Sequence, residues 1–381
     1  MNVSIVEVKT DEQLKAWVKF PLDLYRGDRR YVPQLIREEI DFFSAGSNPS
    51  FQVADTRLLL AVRNGNVVGR ICGLIHRLET EKLGYPRGRF GWFETEENPE
   101  IARAMLGHLE DWFVREKCEE ITGPHGFSDL DPEGLLIDGF DQLPTIAGSY
   151  NKPYYRALIE SCGFEKQVDY IEHRIVMPQE PPSLFKLMQK RVAAAEKEGY
   201  RAVPCRSKKQ VLAYLDQFWQ VLEAAFVNLF GVTPLTKAQM QYYTKKYFGF
   251  IDPSFVQIVV NDSNRLQGFF LGLPSLSRPF QKARGRLLPF GFYHIWRAFR
   301  RYDTVDFYFA GIDPQANARK VFPIMVHYMY RALKARGVTY LETNRELENN
   351  SNITNIWTKF EVVNRRRSRI FRKGLSRRES S

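Results

Sequence analysis

The chain has little cysteine, no long apolar run and no excess of acid. Its 381 residues include four cysteines, Cys72, Cys118, Cys162 and Cys205, scattered and without a CxxC pair. That spacing argues against a disulfide framework and against a metal site; the expectation is reduced, mostly buried thiols and no metal. The nearest approach to a membrane span, 287–296, is far too short to cross a bilayer. The opening MNVSIVEVKTDEQ has the features of neither a signal peptide nor a transit peptide, so the expected location is the cytoplasm. Acids are outnumbered, 44 against 55 Lys and Arg, and the net charge is +11. Such a balance suits an anionic ligand, nucleic acid or an acidic membrane surface. At 44% hydrophobic and 26% charged the chain reads as globular, and its length predicts two domains of ordinary size.

What is present is organised around 303–345. Residues 304–312 (TVDFYFAGI) are β-branched and aromatic, suited to a buried strand. Asp313-Pro314-Gln315 breaks that run. A helix follows with Val321, Ile324, Met325, Tyr328, Met329, Ala332 and Leu333 on one face. Gly337 stands at the C-terminal cap position, and another strand starts at Val338. A strand feeding a helix through a short polar loop turns free backbone N–H groups outward, an arrangement that favours phosphates.

The unit occurs twice. Ile101, Ala104, Met105, His108, Leu109, Trp112 and Phe113 repeat the helical register 220 positions earlier, and Ile121 precedes Leu341 by the same offset. Upstream, Gly69 and Gly73 match Gly268 and Gly272 at an offset of 199. The second copy therefore carries 220 − 199 = 21 extra residues between hairpin and helix. Asn64-Gly65 marks a tight hairpin in the first copy. A strand at 170–176 closes that copy, and PQEPP at 178–182 links it to the second. The second copy ends with a helix at 353–359 and a basic strand at 364–372. Each copy reads β, α, α, β, β, β, α, β, α, β. The helical crossover makes one strand pair parallel, and hairpins make the rest antiparallel. The fold class is α+β: residues 1–177 and 200–381 form two domains, each a mixed, mostly antiparallel sheet flanked by helices, with 178–199 as linker and helix.

This order resembles the GNAT-type N-acetyltransferase superfamily. FPLDLYRGDRRYVPQL, VVGRICGL, FGWFE, ITGP, DPEGLLIDGFD, YNKPYY and ESCGFEK further resemble an uncharacterised bacterial family with two tandem GNAT-like domains. The resemblance implies an acyltransferase. It would move an acyl group from acyl-CoA, acetyl-CoA or an acyl carrier protein to an amine, with the donor between splayed fourth and fifth strands. In the superfamily the loop after the fourth strand follows [RQ]xxGx[GA]. Here 313–320 reads DPQANARK, with Gln315 or Asn317 as the first member and at least one glycine replaced by a larger residue. Donor-binding residues carried over are Ile312, Gln315, Asn317, Ala318, Arg319 and Lys320; the last two offer charge where close backbone approach is lost.

Charge separates the copies. Residues 94–120 carry nine acids and three bases, whereas 309–342 carry two acids and five bases. A pyrophosphate would be repelled by the first loop, so the donor is expected in the second copy and the first is structural or substrate-facing. Candidate catalytic groups are Asp313 as a base or simply a turn residue, and Asn344 as an orienting amide. Tyr155 is an acid beside Tyr154, or a packing aromatic. His125 and His327 are further candidate bases, with a partly exposed structural role the alternative for His327. The insertion 278–301 holds seven Lys or Arg and no acid around Leu287, Leu288, Phe290, Phe292, Tyr293, Ile295 and Trp296. It reads as a lid on a long acyl chain or anionic lipid, as a surface for tRNA, or as a core helix with a charged outer face. The expected acceptor is a small molecule or lipid-like amine; the alternatives are an aminoacyl-tRNA-dependent transferase and a catalytically silent binding protein. Acceptor identity, acyl length and oligomeric state stay open.

Overall fold

A computed structural model describes residues 3–178, 183–350, 357 and 360–375. The helix expected at 353–359 and the core of the PQEPP linker fall outside those residues, apart from Trp357. The first half runs β1 (Ser4–Glu7), α1 (Asp11–Leu24), α2 (Ile36–Phe42), β2 (Ala54–Arg63), β3 (Asn66–His76), α3 (Arg77–Leu83) and β4 (Gly88–Thr95). It continues with α4 (Pro99–Arg115), β5 (Glu120–Gly123), β6 (Leu135–Asp138), α5 (Tyr155–Ser161) and β7 (Glu165–Val176). The second half opens with α6 (Ser183–Lys197), β8 (Arg201–Pro204), α7 (Lys208–Leu212), α8 (Leu215–Phe226), α9 (Lys237–Phe248), β9 (Val256–Val260) and β10 (Leu266–Pro274). Then come α10 (Ser277–Ala283), α11 (Gly291–Ala298), β11 (Thr304–Ile312), α12 (Ala318–Ala335), β12 (Tyr340–Glu342), β13 (Glu346–Leu347) and β14 (Val362–Gly374). Among the described residues no helix is long and apolar enough to cross a membrane. Nor does any group of three or more His, Cys, Asp or Glu among them have the arrangement to hold a metal ion.

The duplication has a packing cause. A Cβ at Gly69 would lie 2.9 Å from Met105 of α4, and one at Gly268 would lie 2.6 Å from Val321 of α12. Each glycine lets its helix approach the sheet, which is why glycines and helical stripes recur together. Both helices bury their stripes, with Ile101, Met105, Leu109 and Phe113 in one core and Val321, Ile324, Met325 and Met329 in the other. Truncating any of these to Ala costs about 2–5 kcal/mol by cavity formation. Asn98 caps α4, with Pro99 in its first turn. Gly337 ends α12 at φ +65°, with the Val338 N–H on the Leu333 carbonyl at 3.1 Å, a Schellman closure. Asn64 and Gly65, at φ 53° and 77°, make the expected primed turn of the β2–β3 hairpin.

The architecture is α+β, a mixed, largely antiparallel sheet flanked by helices. Among the described residues the two halves share one fourteen-stranded sheet, and their closing strands are exchanged. β14, last in the chain, pairs with β5 and β6 of the first half, while β7 pairs with β12 and β13 of the second. β7 and β14 run antiparallel at the centre, Ile171 opposite Arg367. The basic run at 365–373 therefore meets protein acids. Arg367 and Arg369 reach Asp169 at 3.1 and 2.7 Å, Arg366 reaches Glu172 at 2.9 Å, and Lys373 reaches Glu110 at 2.7 Å. Opposite charges on facing strand positions pin the register of this pair.

Candidate active site

Each half contains one parallel pair whose strands diverge. In the first, β4 and β5 pair at Gly88–Ile121 and Arg89–Thr122. The ladder is then prolonged, because the His125 N–H donates to the Phe90 carbonyl at 2.7 Å. Further along β4 the Thr95 backbone is occupied on both sides of its charge. Its N–H donates to the Tyr155 hydroxyl at 2.9 Å, and its carbonyl accepts from Tyr154 at 2.7 Å. Tyr155 is fully buried and donates to Glu94 at 2.8 Å. The first divergence is thus filled by backbone and tyrosines.

In the second, β11 and β12 pair from Thr304–Tyr340 to Asp306–Glu342. The chain after β12 then leaves toward β7, where the Thr343 N–H meets the His173 carbonyl at 2.8 Å. Among the described residues a single side chain spans the opening: Asn344 Nδ2 donates to the Tyr308 carbonyl at 3.0 Å. From Phe309 to Ile312 β11 pairs with β10 alone among the described residues, and Ala310 is exposed.

The two halves meet around a cavity of about 190 Å³. Its second-half wall is Leu273, Tyr308, Phe309, Asn344 and Arg345, with Lys246 and Tyr247 from α9. Its first-half wall is rich in carboxyl groups: Glu38, Glu39, Glu94, Asp129, Asp131 and Glu133. Burial, then neighbouring Glu133, pushes Asp129 up to about 7. Burial raises Asp131 to about 6 although Lys246 opposes it, and its carboxylate accepts from the Phe127 and Ser128 N–H groups and from Tyr243. Glu94 is raised by burial against the pull of Arg70. Glu133 goes the other way: burial resists, but Arg345 and His125 outweigh it. His125 Nε2 lies 2.8 Å from Glu133, and burial depresses the imidazole, keeping it neutral near pH 7. Arg345 crosses from the second half and donates to the carbonyls of Asp131 at 3.1 Å and Glu133 at 3.3 Å, clamping the acidic loop. An apolar recess of about 80 Å³ adjoins the cavity; Tyr247 and Phe309 line both, with Phe218, Phe269 and Leu271 behind them.

The residues picked from sequence are dispersed. Asn344 lines the cavity, whereas Tyr155 does not line it and touches it through Glu94 and Phe93. Asp313 does not line it. Its N–H donates to the Gln267 carbonyl at 2.9 Å, Oδ1 accepts the Gln315 N–H at 2.9 Å, and Oδ2 lies 3.4 Å from Arg265. That is turn geometry. Ile312 pairs with Gly268 inside the sheet. Asn317 caps α12, accepting from the Arg319 N–H at 3.1 Å, so one amide of the turn is already satisfied. Ala318 and Arg319 are exposed, while Lys320 is ion-paired with Glu198. His327 is half-buried on α12. The insertion does pack helices on a small core, through Phe280 of α10 and Ile295 and Ala298 of α11, but its outer face is not simply charged: Leu288 and Phe290 are 75% and 71% exposed.

Asp129, Asp131, Glu133, Lys246 and Arg345 line the cavity without standing out as candidates in the sequence. The first three stand at alternate positions in SDLDPEG, a glycine- and proline-containing loop, and that was the available signal. Nothing local marks Lys246 or Arg345.

No protein-family model matches the chain. Over 370 residues, 95% of this chain and 93% of the other, it is 25% identical to Protein YghO of Escherichia coli strain K12. It is 27% identical over 300 residues, 78% of this chain and 76% of the other, to a bacterial ceramide synthase of Caulobacter vibrioides. Among solved structures it superposes on a tandem GNAT protein from the clavulanic acid biosynthesis pathway. The TM-score is 0.55 at 12% identity, over 98% of this chain and 99% of that one.

Proposed function

We propose that this chain, which has the tandem GNAT fold, is an N-acyltransferase that acylates a lipid-like amine from an acyl thioester. The observation that carries the reading is the β11 edge at 309–312, without a second strand neighbour among the described residues, beside a cavity walled by carboxyl groups. A thioester donor, acyl-CoA or acyl carrier protein, would enter the β11–β12 opening, where the backbone around exposed Ala310 would offer hydrogen bonds to an extended pantetheine arm. Its phosphates would face the turn of Gln315, Asn317 and Ala318, with Arg319 supplying charge beside Lys320, which also pairs with Glu198 at the surface. The acyl chain follows the apolar recess past Phe309. The likeness to a ceramide synthase supports a long-chain amine as the acceptor, since a ceramide is an N-acylated long-chain amino alcohol.

The acidic wall receives the acceptor as an ammonium ion. Asp129, raised to about 7, takes the proton and frees the nitrogen lone pair. The nitrogen attacks the thioester carbonyl, a C–N bond forms and the C–S bond breaks. The second amine proton leaves with the thiolate as a thiol, relayed by Tyr308, which burial keeps protonated. Asn344 holds β11 in place through the Tyr308 carbonyl. The test is mass spectrometry of purified protein with acetyl-CoA or palmitoyl-CoA and a long-chain amino alcohol. The expected result is an amide from the long-chain donor, lost in Asp129→Asn. Absence of amide with every acyl thioester, including acyl carrier protein, would sink the reading.

A further inference from the structure

We propose that the surface formed by residues 284–301 docks on an anionic bilayer and holds the cavity at the lipid–water boundary. The docking stands on the surface alone; only its purpose, delivering lipid-like substrates, rests on the acyl transfer proposed above.

The surface is apolar where it should not be. Ten large hydrophobic side chains are exposed among the described residues, and six of them fall within ten positions: Leu287, Leu288, Phe290, Phe292, Tyr293 and Trp296. Such clustering marks an interaction site, whereas scattered exposed hydrophobics do not. Helix α11 is built to present three of them, and the other three lie just before it. Gly291, Ile295 and Ala298 of α11 are buried at the i, i+4, i+7 spacing, which turns Phe292, Tyr293 and Trp296 outward. Gly291 cannot carry a side chain, because a Cβ would collide with the Arg286 carbonyl. Phe292, Tyr293 and Trp296 are therefore held out by packing.

Charge identifies the occupant. Arg284 and Arg286 precede the patch, Arg297, Arg300 and Arg301 follow it, and 278–301 holds no acid. Among the described residues none of these five arginines forms an ion pair with a carboxylate, and Arg300 lies 4.1 Å from the Trp296 ring centroid. Aromatic and aliphatic groups ringed by cations match both layers of an anionic membrane surface, acyl chains inside and phosphates above. Nucleic acid fits less well. The most exposed of the large apolar side chains, Leu288, has no face on which a base stacks and nothing to offer a phosphate.

Position completes the argument. α10 is fastened to the segment bordering the cavity: Gln281 Nε2 donates to the carbonyls of Arg29 at 2.8 Å and Tyr31 at 3.1 Å. The Ile36 N–H donates to the Gly285 carbonyl at 2.9 Å. Phe280 of the same helix lines the cavity itself. A bilayer on this surface thus lies beside the site where a lipid amine would enter.

Flotation of the full chain with phosphatidylcholine vesicles, with and without phosphatidylglycerol, tests the proposal. Binding is expected with phosphatidylglycerol, with a blue shift of Trp fluorescence and release at high salt. Leu288→Asp with Phe290→Asp should lower the partition by about tenfold or more, and Arg297→Glu with Arg300→Glu should abolish the preference for anionic vesicles. All four positions face solvent or border the patch, and circular dichroism checks the fold of each variant. Three outcomes overturn the proposal: failure to bind anionic vesicles, tRNA binding that the same variants remove, or a concentration-dependent dimer that they dissociate.

Discussion

The two halves share elements, order and packing, and differ where their parallel strands part. In the first, the edge of β4 is consumed by the protein itself: Phe90 by His125, Thr95 by Tyr154 and Tyr155. In the second, β11 is bridged once, by Asn344, and then runs on without a second strand neighbour among the described residues. Duplication supplied two openings of the same kind. One is closed by the protein's own groups and contributes Glu94 to the shared cavity; the other leaves β11 backbone without a second strand neighbour among the described residues. The same contrast appears in charge. Burial opposes ionisation of Glu79 in the first half, but Arg89 and Arg87 outweigh it and hold the carboxyl near 2. In the second, buried Asp306, with no ion pair among the described residues, is pushed up to about 7.

The largest effect expected from this contrast is at Asp129. Asp129→Asn should lower kcat by about 10²–10⁴-fold, with the donor still binding. In the wild type kcat/KM should rise with pH through about 7, since only the ionised carboxylate accepts a proton. A flat profile over pH 5–9 would remove Asp129 from the mechanism.

Next is the donor loop. Arg319→Glu with Lys320→Glu should raise the donor KM about tenfold or more by placing like charge beside phosphate. Glu96→Gln with Glu97→Gln in the first half's loop should leave KM unchanged. Equal effects from both pairs would break the division of labour between the halves.

Tyr155→Phe sharpens the comparison from the closed side. It leaves the Thr95 N–H and Glu94 short of a partner and should cost about 1–3 kcal/mol of stability, read from denaturant unfolding. Residual kcat at a temperature well below Tm should change little. A collapse of turnover in a folded variant would mean that the first opening takes part in chemistry.

The smallest effects are in the pH dependence of stability. The folded Glu79 carboxyl lies below its unfolded value of 4.5, so its contribution is present above about 4.5 and is lost as pH falls toward 2. Asp306 lies above its unfolded value of 3.8, so its contribution is full below about 4 and is lost as pH rises through about 7. Glu79→Gln should shrink the acid limb and Asp306→Asn the alkaline limb of a Tm–pH curve. Exchange of those limbs between the variants would reverse the assignment.

Local pattern alone determined a good deal. The 3.6-residue stripes of α4 and α12, the Asn64-Gly65 turn and the β11 run at 304–312 were legible because each is written in neighbouring residues. The duplication was legible because a glycine in β3 or β10 and a stripe in the facing helix are parts of one contact, inherited together. The tertiary structure decided the rest. Alternation along 165–176 and 362–374 says which face is buried but not which strand lies alongside, so the exchange of β7 and β14 could not be read. Asp129 became a candidate base only when α9 and Arg345, more than a hundred residues away, closed a cavity over it. Desolvation is a property of the space around a side chain, and that space is assembled from residues with no relation along the chain.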